Sequence, residues 1–319
     1  MSEPTLRQLR YFLAVAEEQH FGQAAARCAV TQPALSMQIR ELEQTVGAVL
    51  VERTRHGAKL TDAGARLAQR ATKVLHEIRD LVDDVRGSAG VLRGTIRVGV
   101  IPSIAPYLLP PLLPKLREAY PELDLHVRET QTERLLDELA SGRLDCLILA
   151  LPIDRDDVKT LALFEDRFLL AQPKTRPAHS RRRAINPALR DERLLLLEEG
   201  HCLRDQILQY CNKRALKELE SFEAASLTTL VQLVANDFGV TLVPELCVGV
   251  ESRYGGVRLV RFASPEPHRT VALAWRASSP RSSDFEALGA IIKATGTEII
   301  DKTLPKSRRP TKSGSESGD

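Results

Sequence analysis

The chain has 319 residues, 43% hydrophobic and 27% charged, the balance of a soluble protein with room for two or three domains. Its net charge of +3 sits at the end, where Lys302, Lys306, Arg308, Arg309 and Lys312 face only Glu316 and Asp319, so the remainder is neutral and overall charge is no argument for nucleic-acid binding. No run approaches the ~20 apolar residues of a membrane span and no export signal is visible, so the expected compartment is the cytoplasm, where thiols stay reduced.

Residues 5–64 read as short helices and a wing. Leu6, Leu9, Phe12, Leu13 and Ala16 have helical spacing, and Phe21 to Cys28 is a short Ala-rich helix. Val30-Thr31 makes a turn, and Gln32-Pro33 opens the next helix, where proline is tolerated. Leu35, Ile39, Leu42 and Val46 line one face of it. Pro33, Ser36, Met37, Arg40 and Gln44 line the other, and Gly47 ends it. This is helix-turn-helix anatomy, whose second helix presents its N-terminal residues to the major groove. By periodicity alone a plain helical bundle fits as well. Glu52 to Gly57, with Arg53, Arg55 and His56, reads as a wing suited to phosphates or a minor groove.

From Leu60 the apolar positions run Ala63, Leu67, Ala71, Val74, Ile78, Leu81 and Val85, a near-heptad seam on one long helix. Thr61-Asp62 caps its start, and Gly87 to Gly90 closes it. Self-association would cover the seam and pair two recognition helices; packing onto its own chain is the alternative.

Residues 91–296 alternate strands and helices in what reads as a parallel α/β pattern. The first set is strand Thr95–Val100, helix Tyr107–Tyr120, strand Leu123–Glu129, helix Thr132–Ala140 and strand Leu144–Leu151. A second set begins near Phe164. It takes in Leu194–Leu197, a helix from Leu203 to Ala215, a strand around Phe222, helix Leu227–Asn236 and strand Val240–Val243. The chain returns through Arg269–Trp275 and a last helix, Phe285–Thr295. Two subdomains around a cleft are expected, 91–164 with 268–296 and 165–267, with binding sites at the carboxyl ends of strands. Lys174–Arg190 reads as a solvated surface loop, and 297–319 as a disordered basic tail.

The five cysteines, at 28, 146, 202, 211 and 247, form no metal-ligand spacing, and no metal or cofactor is expected. Cys202 has the setting of a reactive thiolate: His201 before it, Arg204 after it, and Gly200 at the entry to a helix. These features predict a pKa lowered from ~8.5. If the helix is continuous, nine residues put Cys202 and Cys211 about 13 Å apart. Cα atoms beyond ~7 Å cannot be bridged without backbone movement, so a disulfide there would break the helix. Two unrelated cysteines, one packed and one exposed, is the plain alternative. Cys28, Cys146 and Cys247 lack this setting and read as packed.

Leu6 to Gly64, with Ala24-Ala25, Thr31-Gln32-Pro33-Ala34-Leu35-Ser36, Gln38-Ile39, Leu42-Glu43, Gly47 and Leu60-Thr61-Asp62-Ala63-Gly64, resembles the head of the LysR-type transcriptional regulators. Gly200-His201-Cys202-Leu203-Arg204-Asp205-Gln206 with Cys211 is similar to the hydrogen-peroxide-sensing members of that family. So are Ile101-Pro102, Pro106 to Pro110, Gln131-Thr132 and Leu144-Asp145-Cys146.

The resemblance implies an α/β protein in three parts. They are a winged helix-turn-helix at 1–64, a linker and dimerisation helix at 65–90, and a two-subdomain, periplasmic-binding-protein-like regulatory domain at 91–296. It implies that Cys202 is the peroxidatic and Cys211 the resolving cysteine, with Ser103, Thr132, His201, Arg204, Asp205 and Arg269 around the peroxide. Ser103 stands where the family usually has Thr. Thr31, Gln32, Pro33, Ser36, Met37 and Arg40, with Arg53, Arg55 and His56, would contact a double-stranded operator. Expected partners are DNA, further copies in a homodimer or homotetramer, RNA polymerase, and hydrogen peroxide as signal. A metabolite-binding regulator with incidental cysteines and a thiol peroxidase are the rivals; the DNA-binding head opposes the second.

Overall fold

The computed structural model describes residues 3–54, 57–86, 91–176, 189, 192–210 and 223–303. Within these, residues cluster into a unit made mainly of the first 90 residues and a larger unit made of most of the rest.

The first unit is built on locally capped helices. Helix α1 (Leu6–Glu18) starts at Thr5, whose hydroxyl accepts from the Gln8 amide while the Gln8 side chain returns to the Thr5 amide. Helix α2 (Phe21–Arg27) is capped by His20, and α3 (Gln32–Val46) by Thr31. Gly47 closes α3 in the left-handed conformation, at φ +72°. Leu35, Ile39 and Leu42 of α3 are buried against Phe12, Val15, Phe21 and Ala24. The Glu43 carboxylate accepts the amides of Leu50 and Val51, which turns the chain into the wing. Strands β1 (Val51–Thr54) and β2 (Gly57–Leu60) pair antiparallel. Gly57 must be glycine: a Cβ there would lie 2.3 Å from the Gln19 carbonyl oxygen.

Helix α4 (Asp62–Arg86) is the predicted long helix. Its seam divides. Ala63, Leu67, Ala71 and Leu75 pack onto the head core. Val74, Leu81 and Val82 are exposed. The near half of the stripe is therefore covered by its own chain, and only the far half is left for another molecule.

The larger unit is a mixed sheet, not the all-parallel one expected. Strands β3 (Gly94–Val100), β4 (Leu123–Glu129) and β5 (Cys146–Ala150) are parallel, as the intervening helices α5 (Ala105–Ala119) and α6 (Thr132–Ala140) require. Strand β6 (Val158–Pro173) starts before Phe164 and runs 16 residues. Its first part pairs antiparallel with β11 (His268–Arg276), which also pairs antiparallel with β5. Its second part pairs with β9 (Thr241–Pro244) and β10 (Val257–Arg261). β10 had no periodicity that marked it as a strand. Beyond β9 lie the short parallel strands β7 (Leu196–Leu197) and β8 (Glu223–Ala224), with α7 (Cys202–Tyr210) and α8 (Leu227–Ala235) beside them in sequence. A 3₁₀ turn (Glu245–Cys247) and α9 (Val248–Glu251) follow β9.

The last helix, α10 (Ser282–Thr303), corrects the expectation of a disordered tail from 297. Glu298 holds it by accepting from Lys115 of α5 and from Lys302, each at 2.6 Å. Those lysines pull its carboxyl down to about 2. Residues 304–319, most of Lys174–Arg190, Phe222 and the segment 211–215 of the expected cysteine helix lie outside the described residues.

Candidate peroxide site and DNA interface

On α3, Gln32, Pro33, Ser36, Met37 and Arg40 line one shallow recess, opposite the buried Leu35–Ile39–Leu42 stripe. Met37 is 54% exposed, unusual for so apolar a side chain and suited to thymine methyls or sugars. Thr31 is occupied as the helix cap, with its hydroxyl on the Ala34 amide. The side chain of Arg53, and Arg55 and His56 altogether, lie outside the described residues.

In the larger unit Cys202 is the first residue of α7, half-buried and reduced. The chain enters through Gly200 at φ +89°, where a Cβ would lie 2.7 Å from the Gln131 side-chain oxygen. The left-handed backbone is what favours glycine there, since the Gln131 side chain could move aside. Gln131 immediately precedes Thr132, so the same approach brings α6 to the start of α7. Thr132 Oγ1 is buried without a hydrogen-bond partner, yet close enough to Cys202 to favour its charged form.

The expectation of a depressed Cys202 pKa is reversed. Burial pushes the thiol above its ordinary value, while Thr132 and the charge of Arg269 pull the other way. The flanking residues fail as cation donors for a geometric reason. The Arg204 guanidinium donates to the Leu197 carbonyl at 3.0 Å, and buried His201 lies 3.6 Å from Glu198. Asp205 is exposed and opposes the thiolate.

The cation that acts on the sulfur is Arg269, at the start of β11. It is fully buried and paired with Asp166, equally buried, directly across the β6–β11 register. Arg269 Nε donates to Asp166 Oδ2 at 3.0 Å, Nη1 to Ser103 Oγ at 2.7 Å, and Nη2 to the Ser103 carbonyl at 3.0 Å. Asp166 Oδ1 accepts the Leu246 amide at 2.9 Å. Burial works against the guanidinium charge, but Asp166 more than restores it. Ser103, at the Ser-for-Thr position, therefore keeps a defined job as acceptor for Arg269.

The fold brings Thr132, Cys202, Ser103 and Arg269 together and turns Arg204 and His201 elsewhere. Sequence reasoning missed Asp166 and set Cys247 aside as structural. Cys247 is buried, and its thiol donates to the Ser103 carbonyl at 3.6 Å. Asp166 left no distinguishing trace in the sequence: it is one of two adjacent carboxylates, with Glu165, in the run Phe164 to Leu170.

The arrangement offers a half-accessible thiol, an unspent hydroxyl and a fixed guanidinium, behind a helix-turn-helix head: a DNA-binding regulator with a reactive cysteine in its sensory unit. The family model "Bacterial regulatory helix-turn-helix protein, lysR family" matches residues 6–65, and "LysR substrate binding domain" matches 89–296. The chain belongs to the LysR family of DNA-binding transcriptional regulators.

Within the family it is similar to OxyR proteins. It is 45% identical to a probable hydrogen peroxide-inducible genes activator of Streptomyces viridosporus, over 91% of this chain and 94% of that one. It is 40% identical to the transcriptional dual regulator OxyR of Escherichia coli K12, over 94% and 98%. A full-length OxyR cysteine variant from Pseudomonas aeruginosa superposes with a TM-score of 0.78 at 37% identity, covering 92% and 96%. A peroxide-bound OxyR cysteine variant from Corynebacterium glutamicum superposes with a TM-score of 0.66 at 35% identity, covering 94% of each.

Proposed function

We propose that this chain is a cytoplasmic transcriptional activator that senses hydrogen peroxide through Cys202 and Cys211 and controls oxidative-stress genes. The carrying observation is the buried Thr132 hydroxyl, which no protein group satisfies, beside a half-buried thiol that also feels the fixed charge of Arg269. The Cys202 thiolate attacks one peroxide oxygen. The S–O bond forms as the O–O bond breaks, sulfur becomes a sulfenic acid, and the other oxygen leaves as hydroxide. Donors around the leaving oxygen lower that barrier. The sulfenic acid then condenses with the Cys211 thiol, releasing water and forming the disulfide.

Tyr210, the residue before Cys211, is eight helical steps and about 12 Å along α7 from Cys202. Its hydroxyl donates to the His268 carbonyl at 2.6 Å and accepts the His268 amide at 3.3 Å, and its ring meets Phe168 edge-on. Closing the disulfide requires this end of α7 to leave His268, which makes α7 an order–disorder switch. Residues 1–64 act as the DNA-binding head and 91–296 as the sensor, with subdomains 91–164 plus 268–296 and 165–267. The exposed Val74, Leu81 and Val82 of the intervening helix pair copies into a dimer, with a homotetramer and contact to RNA polymerase completing the active complex.

DNA footprinting of reduced and peroxide-treated protein tests the reading. The protected region should change on oxidation in the wild type and stay unchanged in Cys202→Ser and Cys211→Ser. An oxidation-dependent change that survives Cys202→Ser overturns it. Arg40→Ala should weaken operator binding by about 1–3 kcal/mol at matched salt.

A further inference from the structure

The guanidinium of Arg269 has five N–H groups. Nε donates to Asp166 Oδ2, with Nη2 2.9 Å from the same oxygen; Nη2 also donates to the Ser103 carbonyl and Nη1 to the Ser103 hydroxyl. Nη1, with two hydrogens, has one acceptor among the described residues, which leaves one of its hydrogens for a ligand. Asp166 is held in turn, with Oδ1 on the Leu246 amide of the 3₁₀ turn and the backbone fixed opposite Arg269 across the sheet. A planar group gripped along two edges cannot rotate about its own axis, so its one uncommitted hydrogen points in a single direction.

We infer that Asp166 is a positioning residue for the peroxide reaction: it locks the Arg269 guanidinium so that its uncommitted Nη1 hydrogen serves the reacting oxygen at Cys202. The inference rests on the peroxide-sensing reading and adds a residue to it. In the step served, the S–O bond forms and the O–O bond breaks. Sulfur is oxidised by two electrons, peroxide is reduced, and the departing hydroxide accepts the Arg269 hydrogen bond as its charge develops. Asp166 touches neither sulfur nor peroxide and acts only through Arg269. A mere counterion would serve stability and leave the chemistry indifferent to where the carboxylate sits.

The test uses full-length protein carrying Cys211→Ser, so that oxidation stops at the sulfenic acid. Two rates are measured at one pH: peroxide oxidation of Cys202, trapped with a cyclic 1,3-dione, and alkylation of Cys202 by iodoacetamide. Iodoacetamide reads the thiolate but expels iodide, which has no oxygen to stabilise. Asp166→Glu keeps the charge and moves it by one methylene. It should slow the peroxide reaction about 10- to 100-fold, the effect of a ~1 Å misplacement, while alkylation changes by less than about threefold.

Asp166→Asn alone leaves a buried guanidinium uncompensated and endangers folding, so it is paired with Arg269→Gln as a neutral couple. The double variant should oxidise no more slowly than Arg269→Gln, because the pair acts as one unit. Equal slowing of both reactions in Asp166→Glu, a wild-type peroxide rate there, or a further loss in the double variant each overturns the assignment. A Cys211→Ser parent that forms no sulfenic acid overturns the sensing reading and this assignment together, which distinguishes that failure from a selective one.

Discussion

Cys202 at the head of α7 and Cys247 in the 3₁₀ turn after β9 sit in the field of the same arginine and differ in almost everything else. The charge of Arg269 favours the thiolate at both. Cys202 is half-exposed and adjoins the partnerless Thr132 hydroxyl. Cys247 is 0% exposed, and its thiol is already spent on the Ser103 carbonyl. Burial pushes Cys247 well above an ordinary thiol, helped by the charges of Asp166 and Glu251. Proximity to a cation thus does not choose the reactive cysteine. What sets Cys202 apart from Cys247 is its partial exposure and the Thr132 hydroxyl beside it, which favours the thiolate.

The sharpest way to break this comparison is to remove each sulfur in turn. Cys202→Ser should abolish the peroxide-dependent footprint. Cys247→Ala should retain it at a cost of about 1 kcal/mol in stability, measured by denaturant unfolding. A sensor silenced by Cys247→Ala would mean that both cysteines take part.

Next in size is Thr132→Val, which removes the hydroxyl beside Cys202 and leaves the exposure of the sulfur as it is. The loss of a preorganised donor should slow sulfenic acid formation about 100-fold. The melting temperature should hold or rise, because an unpartnered buried hydroxyl is replaced by a methyl of similar shape. A wild-type oxidation rate would show that the orphaned hydroxyl plays no part.

The pH dependence follows from the direction of the Cys202 shift. Burial raises this thiol, so near pH 7 the neutral form dominates and the thiolate fraction grows about tenfold per pH unit. Iodoacetamide labelling of Cys202 should climb on that slope from pH 7 to 8, with Cys247 unlabelled. A plateau already reached below pH 7 would show a depressed pKa and reverse the reading. The smallest effect belongs to Tyr210→Phe. It removes two hydrogen bonds to His268, each worth about 0.5–1.5 kcal/mol. Disulfide formation should quicken several-fold while the first oxidation of Cys202 keeps its rate, as followed by quenched-flow mass spectrometry.

The head was legible because its signals are local. Thr5 and Thr31 cap helices whose apolar residues repeat within a few positions, and Gly47 stops α3 where the chain must turn left-handed. The recess formed by Gln32, Pro33, Ser36, Met37 and Arg40 follows from helical geometry once Leu35, Ile39 and Leu42 are buried. In the sensory unit most elements were legible for the same reason. Their pairing was less so: the segments near Phe164 and at Arg269–Trp275 stood out, but antiparallel register between segments about a hundred residues apart leaves no periodic trace.

By itself the sequence determined most elements and the order of head, long helix and sensory unit, and it singled out Cys202; Thr132, Ser103 and Arg269 came with the family resemblance. Read along the chain, the cations nearest Cys202 were Arg204 and His201, because adjacency along a chain is the only proximity its residues display. Tertiary structure decided that Arg204 serves the Leu197 carbonyl, that Arg269 is the charge felt by the sulfur, and that Asp166 and Ser103 fix its orientation. Burial and Coulomb energy depend on distances in space and on what water has been excluded, and neither exists until the sheet has brought residues 103, 166, 202 and 269 together.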